Sequence, residues 1–286
     1  MNKPKLNSDI DYNVAKPKYN IAFSGENMDM QADSNSVQVN RIKMSADVIN
    51  DPSQKEMFQQ WLVKGFLDMD KGVIKMSMLN NPLEIPSIKM DFTPEVFNIK
   101  ESKLKIDRSD FSLNGTLTNV LSYFKRDSLL RGNFKFESDQ TDVLQLMSLT
   151  NGLGTDSVAQ SAPKDSAVSS GPYMVPKGID VTLKTNIKKA VFGVEIAKDM
   201  VGEVRVKDGI LLLDGLVFTT PASKMQITAM YRTPRKNHLF LGIDYHMMDI
   251  EIEALLKMIP DIDSMMPMLR SFKGKGEFHF AAETYL

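Results

Sequence analysis

A mainly β protein, built of antiparallel strands with a few short helices, is what this sequence predicts, and three observations carry the prediction. Between residues 179 and 258, short segments alternate apolar and polar side chains at period two, the pattern of a strand with one buried and one wet face. Turn signals separate these segments: Lys207-Asp208-Gly209, Asp214-Gly215, and the proline-bearing stretches 220–223 and 233–237. Apolar sheet surface also outruns the helices able to cover it, with about fourteen strands against three short helices. The apolar faces must therefore cover one another, as in a sandwich or closed barrel, or line a common groove.

Composition sets looser bounds. A chain of 286 residues, 42% hydrophobic and 25% charged, is ordinary for a globular protein and long enough for one large domain or two lobes. A formal net charge of -1 gives no reason to expect a nucleic-acid partner, and the absence of cysteine excludes a disulfide scaffold or a thiolate metal site. There is no 18-residue apolar run, and the first five residues lack the apolar core of a signal peptide. Taken literally, these features describe a soluble, unsecreted chain. The segment 272–282, which reads as a strand beginning a new unit, fits an internal piece of a longer protein equally well.

In chain order, residues 1–18 are rich in Lys, Asn and Pro and read as loose; strands follow at 19–23 and 39–44. A helix is expected over 53–66, where Ser53 and Glu56 form a capping box and Phe58, Trp61, Leu62 and Phe66 fall at i, i+3, i+4 and i+8. Strands resume at 73–78, 88–92, 96–99, 104–106 and 111–117, with a turn at 93–95 and a turn or bulge at 108–110 that would account for a shift of the apolar register from even to odd numbers. A strand from Leu129 runs into a helix at 141–148. Residues 150–172 are Ser, Ala, Gly, Asp and Pro with almost no large apolar side chain, which predicts a flexible linker or a protruding loop. The organisation is thus an N-terminal lobe, 1–149, and a C-terminal lobe, 173–286. Strands at 181–187, 191–196, 202–206, 210–218, 225–231 and 239–245 and a helix at 250–259 make up the second. The lobes resemble each other weakly at constant offset, Leu129 matching Leu239, Gly132 Gly242, Asp139 Asp249 and Leu146 Leu256, with the aspartate as helix cap in each.

Catalytic signatures are missing: no G-x-S-x-G elbow, no glycine-rich phosphate loop and no H-E-x-x-H. His238, His246 and His279 sit in separate segments and read as solvated strand residues, although His246 shares a strand face with Asp244 and His279 could approach both. Gly274-Lys275-Gly276 precedes a strand and no helix, so it reads as a turn. Twenty methionines suit either ordinary core filling or a surface that accepts variable apolar partners. A glycan-active enzyme would need paired carboxylates across a cleft, which alternating Asp and Glu neither show nor exclude.

The run 202–218, continued by 225–231, resembles the C-terminal region of AsmA-like proteins of Gram-negative bacteria, particularly those of Bacteroidetes; 111–119 followed by Tyr123 is similar to another recurrent piece of that region. The resemblance implies an elongated, strongly curved antiparallel sheet, an open groove or half-pipe whose apolar side carries acyl chains across the periplasm. It also implies an inner-membrane anchor, an N-terminal helix that this chain lacks, and it brings no catalytic residue, metal or cofactor. The expected function is non-enzymatic: binding or conduction of phospholipid or other lipid in support of outer-membrane assembly. In the C-terminal half the groove lining is expected to include Val181, Leu183, Val204, Val206, Met225, Ile227, Leu239, Leu241, Ile243 and Tyr245, the apolar sides of alternating strands. The alternative is a two-lobed β-sandwich, a structural or protein-interaction module whose apolar faces satisfy each other.

Overall fold

The computed structural model describes residues 4–11, 15–32, 35–54, 57–76, 81–145, 174–193, 195–235, 238–258 and 267–285. The protein is mainly β: among the described residues, fifteen strands hydrogen-bond into one mostly antiparallel sheet that does not close on itself. Apart from the two-residue β9, the strands lie in the sheet in sequence order. A two-lobed sandwich would need two sheets, and the hydrogen bonding makes one. Two compact units divide the chain, Met1–Glu137 with Gly178–Val181, and Ser138–Lys177 with Thr182–Leu286.

The first unit holds β1 (Lys5–Asp11), β2 (Lys18–Ala32), β3 (Asn35–Asn50), β4 (Trp61–Lys75), β5 (Leu83–Phe92), β6 (Val96–Ile106), β7 (Ser109–Thr118) and nearly all of β8 (Leu130–Ser138). Short helices α1 (Met57–Gln60) and α2 (Val120–Phe124) lie between strands. Its core depends on a local irregularity repeated from strand to strand. One cross-strand row runs Gly25, Ile42, Met69, Ile88; the next runs Met28, Val39, Gly72, Ile85. Each strand steps three residues between the two rows, where plain alternation would step two. Asn27 and Lys71, inside two of these steps, take the left-handed φ of 51° that lets both rows share a face. Gly72 leaves room for the neighbouring row: a Cβ there would sit 3.3 Å from Met69 Cε and 3.4 Å from Ile85 Cβ. Val39, Met69 and Ile85 are accordingly buried, with Ile42, Ile74 and Leu83 packed against them.

The second unit contains the two-residue β9 (Thr141–Asp142), which pairs in parallel with β10 (Ile179–Phe192), then β11 (Glu195–Lys207), β12 (Ile210–Thr219), β13 (Lys224–Arg235), β14 (His238–Glu251), helix α3 (Ile252–Met258), a 3-10 turn (Pro267–Ser271) and β15 (Lys275–Tyr285). The first three residues of β10 belong to the first unit.

Several expectations are corrected. Residues 5–11 are not loose; they pair residue for residue with β2, from Lys5 opposite Ser24 to Asp11 opposite Lys18. The helix expected over 53–66 is confined to Met57–Gln60. From Trp61 onward the chain is a strand bonded to β3 on one side and from Gly65 to β5 on the other, and two ladders outweigh a local helical pattern. Ser53 does not cap a helix, since its hydroxyl donates to Asp51 at 2.5 Å. Segments 96–99 and 104–106 are one strand, as are 181–187 with 191–192, and 195–196 with 202–206. Helix α3 begins at Ile252 because Ile250 and Glu251 still belong to β14. Asp139 and Asp249 are not caps: Asp139 pairs with Lys188 at 2.7 Å, and Asp249 lies within β14 at a φ of 52°. The backbone N–H of Gln145 donates to Asp142 instead, at 3.1 Å. Residues 143–145 are helical; the rest of the helix expected to 148 and the segment 150–172 lie outside the described residues. The turn expected at 108–110 is present one residue earlier, around Asp107 and Arg108.

Candidate functional site

The register of β11 to β15 builds the site. Directly opposed residues in an antiparallel pair share a face, so the ladders can be read as rows. One row runs Val206, Leu211, Tyr231, Leu241; the next Val204, Leu213, Ala229, Ile243, Ala282. A bulge in β12 at Asp214 and Gly215 then resets the count by one, after which come Leu216, Ile227, Tyr245, Phe280 and finally Phe218, Met225, Met247, Phe278. Without the bulge, Leu216 and Phe218 would turn to the other face. The left-handed φ of 54° at Gly215 makes the reset inexpensive.

These rows contain no charged side chain. The intervening positions carry Glu203, Arg205, Gln226, Thr228, Arg232, Asp244, His246 and Glu283, so the charge of these strands lies on the opposite face. Burial grades along the apolar face. Phe218, Met225 and Met247 are buried at one end; Val204, Val206, Ile227, Leu239, Leu241, Ile243 and Tyr245 are half-buried; Phe278 and Phe280, on the edge strand, are each 49% exposed. Such a face is neither wetted like a free sheet nor closed like a packed core. The Tyr245 hydroxyl donates to Met225 Sδ at 3.4 Å, and burial raises its pKa above the ordinary 10.0.

Of the residues expected to line a groove, Val204, Val206, Met225, Ile227, Leu241, Ile243 and Tyr245 stand in these rows, and Leu239 shares their side of β14 by alternation. Leu183 is half-buried in β10. Val181 falls in the first unit, where its Cγ2 faces Gly132 beside Leu117. Sequence reasoning missed Leu211, Leu213, Leu216 and Phe218, because residues 210–218 form a nearly unbroken apolar run until the bulge assigns faces. It also missed Phe278 and Phe280, whose alternation is legible at 276–282 but whose neighbour, β14, is not.

Two of the three histidines meet; His238 stands opposite Arg235. His246 and His279 are directly opposed on the charged face with ring centroids 5.3 Å apart; His246 pairs with Glu277, and His279 with Asp244 at 3.1 Å. Among the described residues, no three His, Asp or Glu side chains are arranged to hold a metal ion, and no helix is long and apolar enough to cross a membrane. No family model matches the chain, and neither a curated protein nor a solved structure is significantly similar to it.

Proposed function

We propose that the protein binds or conducts lipid without catalysing a reaction, holding acyl chains against the apolar face of β11 to β15 while head groups stay in water. One observation carries this reading: four successive apolar rows on a single face, mostly half-buried, with the strands' charges on the other face. Acyl chains gain from leaving water in proportion to the apolar area they cover, about 25 cal/mol per Å². A wall of Met, Leu, Ile, Val and Phe offers that area without demanding a fixed ligand shape. The mechanism is passive and needs no cofactor. The resemblance of 202–218 and 111–119 to AsmA-like proteins supports the same reading and extends it to the periplasm, to anchoring at the inner membrane and to outer-membrane assembly.

Native mass spectrometry of the purified protein tests the proposal. Phospholipid co-purifying in defined stoichiometry is the expected result. A chain that emerges free of lipid, and takes none up from phospholipid vesicles, would contradict it.

A further inference from the structure

On the opposite face of the first unit, one cross-strand row reads Lys5, Ser24, Lys43, Asp68, Lys89, Glu101 across β1 to β6. From Lys43 onward the charges alternate strand by strand, and Lys89 pairs with Glu101 at 3.3 Å. Continued towards the edge, the alternation would place an anion on β2, but the residue there is Ser24. Among the described residues neither Lys5 nor Lys43 has an ion pair, and the Ser24 hydroxyl has no hydrogen-bond partner. A hollow of about 310 Å³ opens at this point, lined by Lys5, Ser24, Gly25, Glu26, Arg41, Ile42 and Lys43.

We infer that this gap is a binding site for a phosphoryl oxyanion. Lysines on β1 and β3 stand two strand spacings apart, roughly 10 Å, and their side chains are long enough to close on an anion above the serine between them. An ammonium group is a flexible point charge with three donors, suited to a tetrahedral oxyanion, and the Ser24 hydroxyl supplies a further donor. The remaining charges favour a compact ligand. Arg41 is committed to Asp70, with Asp68 at 3.8 Å, and Glu26 in the lining repels anionic groups that extend towards it. The inference is independent of the lipid proposal, since it uses charged residues of the first unit alone.

The same phosphoryl chemistry occurs in free phosphate and in a lipid head group, and the test separates them. The full chain is titrated with inorganic phosphate in chloride buffer while the amide shifts of Ser24 and Lys43 are followed, and is floated with vesicles of phosphatidylcholine with or without phosphatidylglycerol. Ser24→Asp, which places a carboxylate in the gap, should weaken either response at least about tenfold while leaving the melting temperature equal to or above that of the wild type. Saturation by phosphate without flotation assigns free phosphate; flotation that requires phosphatidylglycerol and is lost in Ser24→Asp assigns the head group. Absence of both responses, or responses that persist unchanged in Ser24→Asp, would overturn the site.

Discussion

The two units solve the same problem, an apolar sheet face with few helices to cover it, in different ways. In the first, three-residue steps in successive strands bring the row of Ile42, Met69 and Ile88 against the row of Val39, Gly72 and Ile85, burying Val39, Met69 and Ile85 with the half-buried Ile42 and Ile88 packed against them. In the second, the rows from Val206 to Phe278 remain mostly half-buried, although β12 carries a bulge that keeps them on one face. The irregularity therefore buries Val39, Met69 and Ile85 against one another in one place, and in the other keeps on one face a set of rows in which Phe218, Met225 and Met247 are buried and most of the rest half-buried. Close packing is intolerant of change, whereas a face that meets a mobile chain is not.

The largest expected effect lies in the closed region. Met69→Asp buries a carboxylate among Val39, Ile85 and Gly72 and should cost about 3–5 kcal/mol, enough to unfold the unit in chemical denaturation. Gly65→Ala comes next, because its Cβ would sit 2.0 Å from the carbonyl oxygen of Ser45, a backbone atom that cannot step aside without parting β3 from β4. A loss of about 2 kcal/mol or more is expected there. Either substitution with wild-type stability would remove the contrast between the units.

At the half-buried positions of the second unit, Ile227→Asp and Ile243→Asp should lower stability by only about 1–2 kcal/mol, since a half-buried carboxylate keeps part of its hydration, yet strip most of the bound lipid. Unfolding of both variants would place this face in a closed core. The smallest effect is electrostatic. Asp51 accepts hydrogen bonds from Lys16 and Ser53, which lower its pKa from 3.8 to about 2. A carboxylate depressed by folding stabilises the fold above its unfolded pKa, and this contribution is lost as the pH falls from about 4 through about 2. Thermal melts of Asp51→Asn should be flatter than wild type across that window and indistinguishable in slope above it.

Much of this is legible in the sequence, and the misses have two causes. Period two located most strands and put Ile227, Ile243 and Tyr245 on one side correctly, because alternation is local. It failed wherever a strand steps by three. Ile99 to Ser102 divided β6 into two segments, and the β12 bulge hid Leu216 and Phe218. The helix assigned to 53–66 failed differently: Trp61, Leu62 and Phe66 do recur at helical spacing, but pairing with β3 and β5 is a long-range matter that no window of residues contains. The opposition of His246 to His279, and of Ser24 to two lysines, depends on register between strands and has no signature along the chain.

Alternation also supplies the sharpest control for the central claim. A photo-crosslinking amino acid placed in the cell at Ile227 or Ile243 faces the apolar rows, whereas the same group at Thr228 or Asp244, one residue along, faces the charged side. Irradiation followed by mass spectrometry should give lipid adducts at Ile227 and Ile243 and none at Thr228 and Asp244. Equal labelling at all four positions, or adducts only to protein at the apolar pair, would contradict the reading of this face as a wall for acyl chains.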